Sequence, residues 1–312
     1  MTATEIIIVT VGLVLFEVVS SIDNAVINAK VLVTMSAKSR RWFLLYGLFL
    51  SVFLVRGLLP LLIVYLANPQ LGLFGAATAA FSSSPDVARA VETTRPILLA
   101  GGGLYLVLLS IHWLLLEPKE YCFKFERRLQ NYGIWFYALA SVILVGVTFI
   151  TLNDNPLIAL GAVIGSSAFF ITSGFKASSE DKESDLATSK NNDWSKLLYL
   201  EMIDATFSID GVLGAFAFTT AVPLILLGSG IGALVVRHIT VKGTEFIGRY
   251  RYLSNGAMYS IAALGTVMLA ESLHYDVPFW VSPIITIIAI IIFGYRSYQE
   301  VQGQKATTTP AD

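Results

Sequence analysis

Two stretches of this chain set carboxylates inside runs of apolar residues. Residues 16–26 read FEVVSSIDNAV and residues 203–213 read IDATFSIDGVL. Aligning Ser21-Ile22-Asp23 on Ser208-Ile209-Asp210 places Glu17 on Asp204, so each copy has an acid four residues before its serine. The available donors are the carboxylates of Glu17, Asp23, Asp204 and Asp210, the amide of Asn24 and the hydroxyls of Ser21 and Ser208. Such hard oxygen sets suit Mg2+, Ca2+ or Mn2+ over Zn2+ or Cu+. Glu201, one turn before Asp204, would serve as an entrance ligand or a proton acceptor. An acid at the centre of an apolar helix costs roughly 2.5–3.5 kcal/mol, so such residues face the bundle interior and carry function. Clustered carboxylates have raised pKa values, which permits exchange of a metal ion for protons.

Helical geometry constrains how these groups meet. Glu17, Ser21, Asn24 and Asn28 share one face, whereas Asp23 lies about 120° from Glu17. Both acids reach one site only if the helix unwinds near Ser21–Asn24 or if Asp23 meets the other copy. Gly211 stands at the position of Asn24, and a break over 208–211 is expected there. The acids of the two motifs together with Arg56 and Arg237 leave a formal charge of −2, which fits a divalent ion. Each arginine is expected mainly to pair with an acid, since a lone guanidinium in the membrane is costly.

The elements that position these residues follow from composition. The chain has 312 residues, 55% hydrophobic and 14% charged, and a mean hydropathy of +0.70. That is the signature of an all-α polytopic membrane bundle. Apolar runs of about 20 residues mark nine expected spans at 5–34, 42–67, 96–116, 133–152, 156–175, 195–219, 222–242, 252–272 and 278–296. Basic residues after the first and third spans (Lys38, Arg40, Arg41; Lys119, Lys124, Arg127, Arg128) put those loops in the cytoplasm, the N-terminus outside and the C-terminus inside. The similarity of the motifs extends further. Arg56 and Arg237 each lie fourteen residues after Trp42 and Pro223 at their span starts, and Tyr105 and Glu117 keep the spacing of Tyr259 and Glu271. Two three-helix units entering from opposite sides form an inverted repeat, an architecture of transporters whose substrate site lies near the midplane. The expected divisions are 1–131 for the first unit, 132–176 for two accessory spans, 177–194 for a polar cytoplasmic linker, 195–275 for the second unit, and 276–312 for a final span and tail.

Other function classes find little support. A net charge of −1 offers no field for nucleic acid, and one cysteine, Cys122, forms no internal disulfide. His112, His238 and His274 lack zinc-site spacing, and His112 reads as a packing residue. Neither an HEXXH nor a GxSxG motif occurs in a span, so no enzyme is expected and no organic cofactor. The N-terminus lacks the basic region of a cleavable signal. Lys30 is expected to snorkel, and Trp42, Trp113, Trp135, Trp194 and Trp280 fit interface anchoring. Glu117 and Glu271, at span ends, are expected to be solvated.

At the paired motifs, Phe16-Glu-Val-Val-Ser-Ser-Ile-Asp-Asn-Ala and Leu200-Glu-Met-Ile-Asp-Ala-Thr-Phe-Ser-Ile-Asp-Gly, the sequence resembles the TerC family of integral membrane proteins, named for tellurite resistance. VRGLLPLLIV, DGVLGAFAFT and RYRYLSNGAMY resemble a longer branch of that superfamily. The resemblance implies a helical bundle in a bacterial inner membrane that exports manganese. Glu17, Asp23 and Asn24 then match the first motif and Asp204 and Asp210 the second, with Gly211 departing from a position often polar. The expected partners are lipid, the metal ion as substrate and another copy of the chain. The competing expectation is a membrane scaffold that hands metal to stress-response partners.

Overall fold

The computed structural model describes residues 2–21, 25, 28, 31, 32, 34–47, 57, 58, 65, 72, 74, 75, 78, 85–188, 193–242 and 252–308, and every one of the elements below is helical. Helix α1 (Ala3–Ser20) starts at a reciprocal cap: Glu5 N donates to Thr2 Oγ1 and Thr2 N donates to Glu5 Oε2. A short α2 (Ala37–Trp42) is capped by Ser36 and runs into a π-helical turn at Phe43–Gly47. Then come α3 (Pro85–Leu115), α4 (Lys124–Gln130), α5 (Phe136–Leu152), α6 (Pro156–Thr188), α7 (Asp193–Ala215), α8 (Val222–Lys242), α9 (Tyr252–Ser272) and α10 (Val281–Thr308).

Among the described residues six helical segments are long and apolar enough to cross a bilayer: Ala3–Ser20, Arg95–Leu115, Gly133–Leu152, Pro156–Ala177, Tyr252–Ser272 and Val281–Gln302. The chain is a membrane protein. Val222–His238 is a shorter apolar helix. Helix α7, expected as a span, forms as a helix but stands outside the six because Glu201, Asp204 and Asp210 interrupt its apolar run. Most of the expected span 42–67 lies outside the described residues. Nine spans in an inverted repeat are therefore more than the fold establishes.

Three local expectations are corrected. Helix α7 runs unbroken through 208–211, because Gly211 serves a close side-chain approach rather than a bend. Helix α6 continues to Thr188 where a polar linker is expected, since Ala, Ser, Glu, Lys and Leu include strong helix formers and a preceding span nucleates the turn. Helix α3 already begins at Pro85, within an expected loop; proline suits a first helical turn.

Glycines decide how closely the helices approach, as in membrane bundles generally. A Cβ at Gly103 would lie 2.9 Å from the Gly265 carbonyl oxygen, fixing the crossing of α3 and α9. A Cβ at Gly165 would lie 2.0 Å from the Gly101 oxygen, which holds α6 against α3. The core between these helices is Leu104, Tyr105, Leu108, Phe136, Ile158, Phe169 and Leu264, each at most 1% exposed. Helix α5 has the opposite character. Val142, Val145 and Phe149 are 67–72% exposed on an almost wholly apolar helix, a lipid-facing surface.

Candidate functional site

The acidic residues of the second motif lie on α7 and turn to different neighbours. Asp204 and Asp210 are six residues apart, about 120° around a helix. Both are buried. Asp210 faces α3 and α6: Tyr105 Oη donates to its Oδ1 at 2.5 Å, and Lys176 Nζ forms an ion pair with its Oδ2. Tyr105 Oη also lies 2.9 Å from Thr172 Oγ1, one turn before Lys176 on α6. Three helices thus meet at one carboxylate.

Asp204 faces α8, where Arg237 Nη2 donates to Oδ2 at 3.0 Å. The same guanidinium donates through Nη1 to the Phe43 carbonyl and lies 4.4 Å from the centre of the Phe43 ring. The π-helical turn at Phe43–Gly47 is the seat of this contact. Glu201, one turn earlier on α7, packs against Gly47: a Cβ there would sit 1.8 Å from Glu201 Oε1 and 3.1 Å from Arg237 Nη1. Glu201 Oε1 is buried and has no hydrogen-bond partner among the described residues. Ser208 Oγ donates to the Asp204 carbonyl at 2.7 Å and so serves its own helix.

Glu17 approaches α7 from α1 and is fully buried. Ser21 Oγ donates to Glu17 Oε1 at 2.8 Å, the pairing that the i, i+4 spacing predicts. A Cβ at Gly232 of α8 would lie 2.5 Å from Glu17 Cβ, and one at Gly211 of α7 would lie 3.1 Å from Glu17 Oε2. The two glycines make the slot that admits this side chain. Asn28, on the same face of the sequence pattern, is 5% exposed, and its Oδ1 has no hydrogen-bond partner among the described residues.

Asp23, Asn24 and Arg56 lie outside the described residues. Among those described, no group of three or more His, Cys, Asp or Glu side chains gathers closely enough to hold a metal ion. The arrangement is instead a row of buried acids around α7, with cations at Asp204 and Asp210. Sequence reasoning did not find Lys176 or Thr172. Both sit where the apolar run of α6 gives way to polar residues, which reads as a span end. Tyr105 was visible through its spacing to Glu117, but its bond to Asp210 was not.

A family described as "Protein of unknown function (DUF475)" matches residues 22–301. The chain belongs to the DUF475 family. The match takes in Asp23, Asn24, Asp204 and Asp210 and begins after Glu17 and Ser21. Of curated proteins, the "Uncharacterized membrane protein YceF" of Bacillus subtilis (strain 168) is similar to this DUF475 chain, 25% identical over 196 residues that cover 60% of this chain and 75% of that protein. No solved structure matches. These findings correct the TerC resemblance: the family matched is DUF475, and neither match carries TerC or a tellurite link.

Proposed function

We propose that this membrane protein is a transporter that exports a hard divalent cation across a bacterial inner membrane, using the buried acids around α7. The observation that carries the reading is Asp210: a buried carboxylate in a bundle of bilayer-spanning helices, reached by a hydroxyl from α3 and an ammonium from α6. Intramembrane acids of this kind mark ion pathways. Glu17, Asp204 and Asp210, with Asp23 and Asn24 from the first motif, are the oxygen donors; Ser21 and Ser208 support them, and Arg56 and Arg237 balance charge. Glu201, whose buried Oε1 has no hydrogen-bond partner among the described residues, is the entrance ligand. Two inverted three-helix units rocking about these acids supply alternating access, with the N-terminus outside and the C-terminus cytoplasmic. Oxygen donors leave Mg2+, Ca2+ and Mn2+ as candidates, and the preference for manganese falls with the resemblance that supplied it.

The test is flux of Mg2+, Ca2+ and Mn2+ into liposomes holding the purified full chain and an entrapped metal-sensitive dye. The expected result is protein-dependent flux that Asp210→Asn and Glu17→Gln abolish. Flux equal to that of empty liposomes for all three ions overturns the reading and leaves the scaffold alternative.

A further inference from the structure

Helix α4 lies in the connection between the spans Arg95–Leu115 and Gly133–Leu152, so it sits at one surface of the bilayer. At about 100° per residue, Lys124, Arg127 and Arg128 share one face of this helix and Glu126 lies on the opposite one. Burial follows that geometry: the three basic residues are exposed and Glu126 is fully buried. Glu126 accepts from the backbone N–H groups of Cys122 and Phe123 and from Tyr259 Oη of α9, while Asn255 of α9 donates to the Glu120 carbonyl. The Phe123 ring makes contacts with Phe125, with Tyr259 of α9 and with Phe293 of α10. Helix α4 is therefore fixed from behind, with its basic face turned outward.

That face is unneutralised. Among the described residues no acid forms an ion pair with Lys124, Arg127 or Arg128. Other basic side chains have internal work: Lys119 Nζ donates to the Trp113 and Leu114 carbonyls, and Arg40 Nε donates to the Met35 carbonyl. Beside the basic face, Phe125, Tyr132 and Trp135 are exposed, the last at 64%. Tyrosine and tryptophan at a span end settle at the level of the lipid headgroups. The guanidinium forks of arginine match phosphate oxygens in pairs, as a lone ammonium does not.

We propose that the outward face of α4 is a binding site for an anionic phospholipid of the adjoining leaflet. Arg127 and Arg128 hold its phosphate, Lys124 adds positive charge, and Phe125 and Trp135 lie against its glycerol and upper acyl chains. Charge complementarity selects the anionic class, because a zwitterionic lipid carries an ammonium that three neighbouring cations repel. The position between two spans favours lipid over a soluble anion, since the headgroup layer is what surrounds this face. The site uses none of the acids around α7 and is independent of the transport reading.

The experiment places the purified full chain in phosphatidylcholine bilayers containing increasing fractions of brominated phosphatidylglycerol or, as control, brominated phosphatidylcholine. Bromine quenches tryptophan on contact, and comparison with Trp135→Phe isolates the share of Trp135. Wild type is expected to prefer phosphatidylglycerol at Trp135 by roughly fivefold or more, a preference that falls as NaCl is raised. Arg127→Gln/Arg128→Gln, at exposed positions and so folded, is expected to bring it down to the phosphatidylcholine level. Lys124→Gln is expected to lower it less, and Arg40→Gln/Arg41→Gln to leave it in place. Equal quenching by the two lipids in wild type overturns the proposal, as does a preference that survives Arg127→Gln/Arg128→Gln. An equal loss in the two double variants also overturns it, by assigning the effect to general surface charge. A change of oligomeric state in Arg127→Gln/Arg128→Gln with the lipid preference unchanged overturns it in favour of a second copy of the chain.

Discussion

Two buried carboxylates of this protein each receive a tyrosine hydroxyl, and the rest of their surroundings differ. Glu126, on α4, accepts from Tyr259 Oη at 2.7 Å and also from the backbone N–H groups of Cys122 at 2.7 Å and Phe123 at 3.3 Å. Asp210 accepts from Tyr105 Oη and from a lysine on another helix. Glu126 is held by two backbone donors of its own loop, which cannot leave without unfolding it, and by Tyr259 and Asn255 of α9. Asp210 is held by side chains of α3 and α6, whose contact depends on helix packing. The contrast separates an acid anchored in part by its own backbone from an acid held wholly by side chains of other helices.

Exchanging each carboxylate for its amide tests that contrast most strongly. Asp210→Asn is expected to abolish cation flux in liposomes while the chain still folds. Glu126→Gln is expected to lower thermal stability in detergent, by about 1–3 kcal/mol for a buried network left partly unsatisfied, with flux per folded molecule retained. Loss of flux in both with equal loss of stability would erase the distinction.

Gly232→Leu is the next test, since it fills the slot of Glu17 from α8. The clash should cost about 1–3 kcal/mol or more, seen as a lower melting temperature, whereas Gly146→Leu, with open space around it, should leave melting nearly unchanged.

The tyrosines sharpen the comparison at smaller scale. Tyr259→Phe should cost about 0.5–1.5 kcal/mol of stability through one lost hydrogen bond. Tyr105→Phe should cost a similar amount and in addition slow flux, because its hydroxyl serves Asp210.

The smallest effect concerns the first turn of α7. Hydrogen bonds from Ser36 and Ser39 hold the Asp193 carboxyl below its ordinary range. A depressed folded-state pKa means that this contribution is fully present above the unfolded pKa of aspartate and is lost as pH falls through the folded value. Trp42 and Trp194, 5.7 Å apart, report on the contact. Their fluorescence should stay level above about pH 5 and change below about pH 4, and Asp193→Asn should remove the change.

Several parts of this picture were legible in the sequence. The spans 96–116, 133–152, 156–175 and 252–272 lie within a few residues of helices now seen at Arg95–Leu115, Gly133–Leu152, Pro156–Ala177 and Tyr252–Ser272, because mean hydropathy over some 20 residues is a local quantity. Glu17, Asp204 and Asp210 stood out as acids in apolar surroundings, and they are buried. The pairing of Arg237 with an acid was expected from the cost of a lone guanidinium, and Asp204 is that acid. The TerC resemblance, drawn from the paired motifs and three further short stretches, gives way to the DUF475 match over residues 22–301, since a match along most of the chain weighs far more than short segments.

By itself the sequence determined that the chain is helical, lives in a bilayer and carries acids where lipid-facing helices carry none; each is set by residue type and spacing along one helix. Only the tertiary structure decided that Asp210 takes Lys176 and Tyr105, that Asp204 takes Arg237 and the Phe43 carbonyl, and that Gly211 and Gly232 admit Glu17. Those choices depend on which faces of separate helices meet and at what height. Glycine-controlled crossings set that height, and no periodicity within a single helix records it.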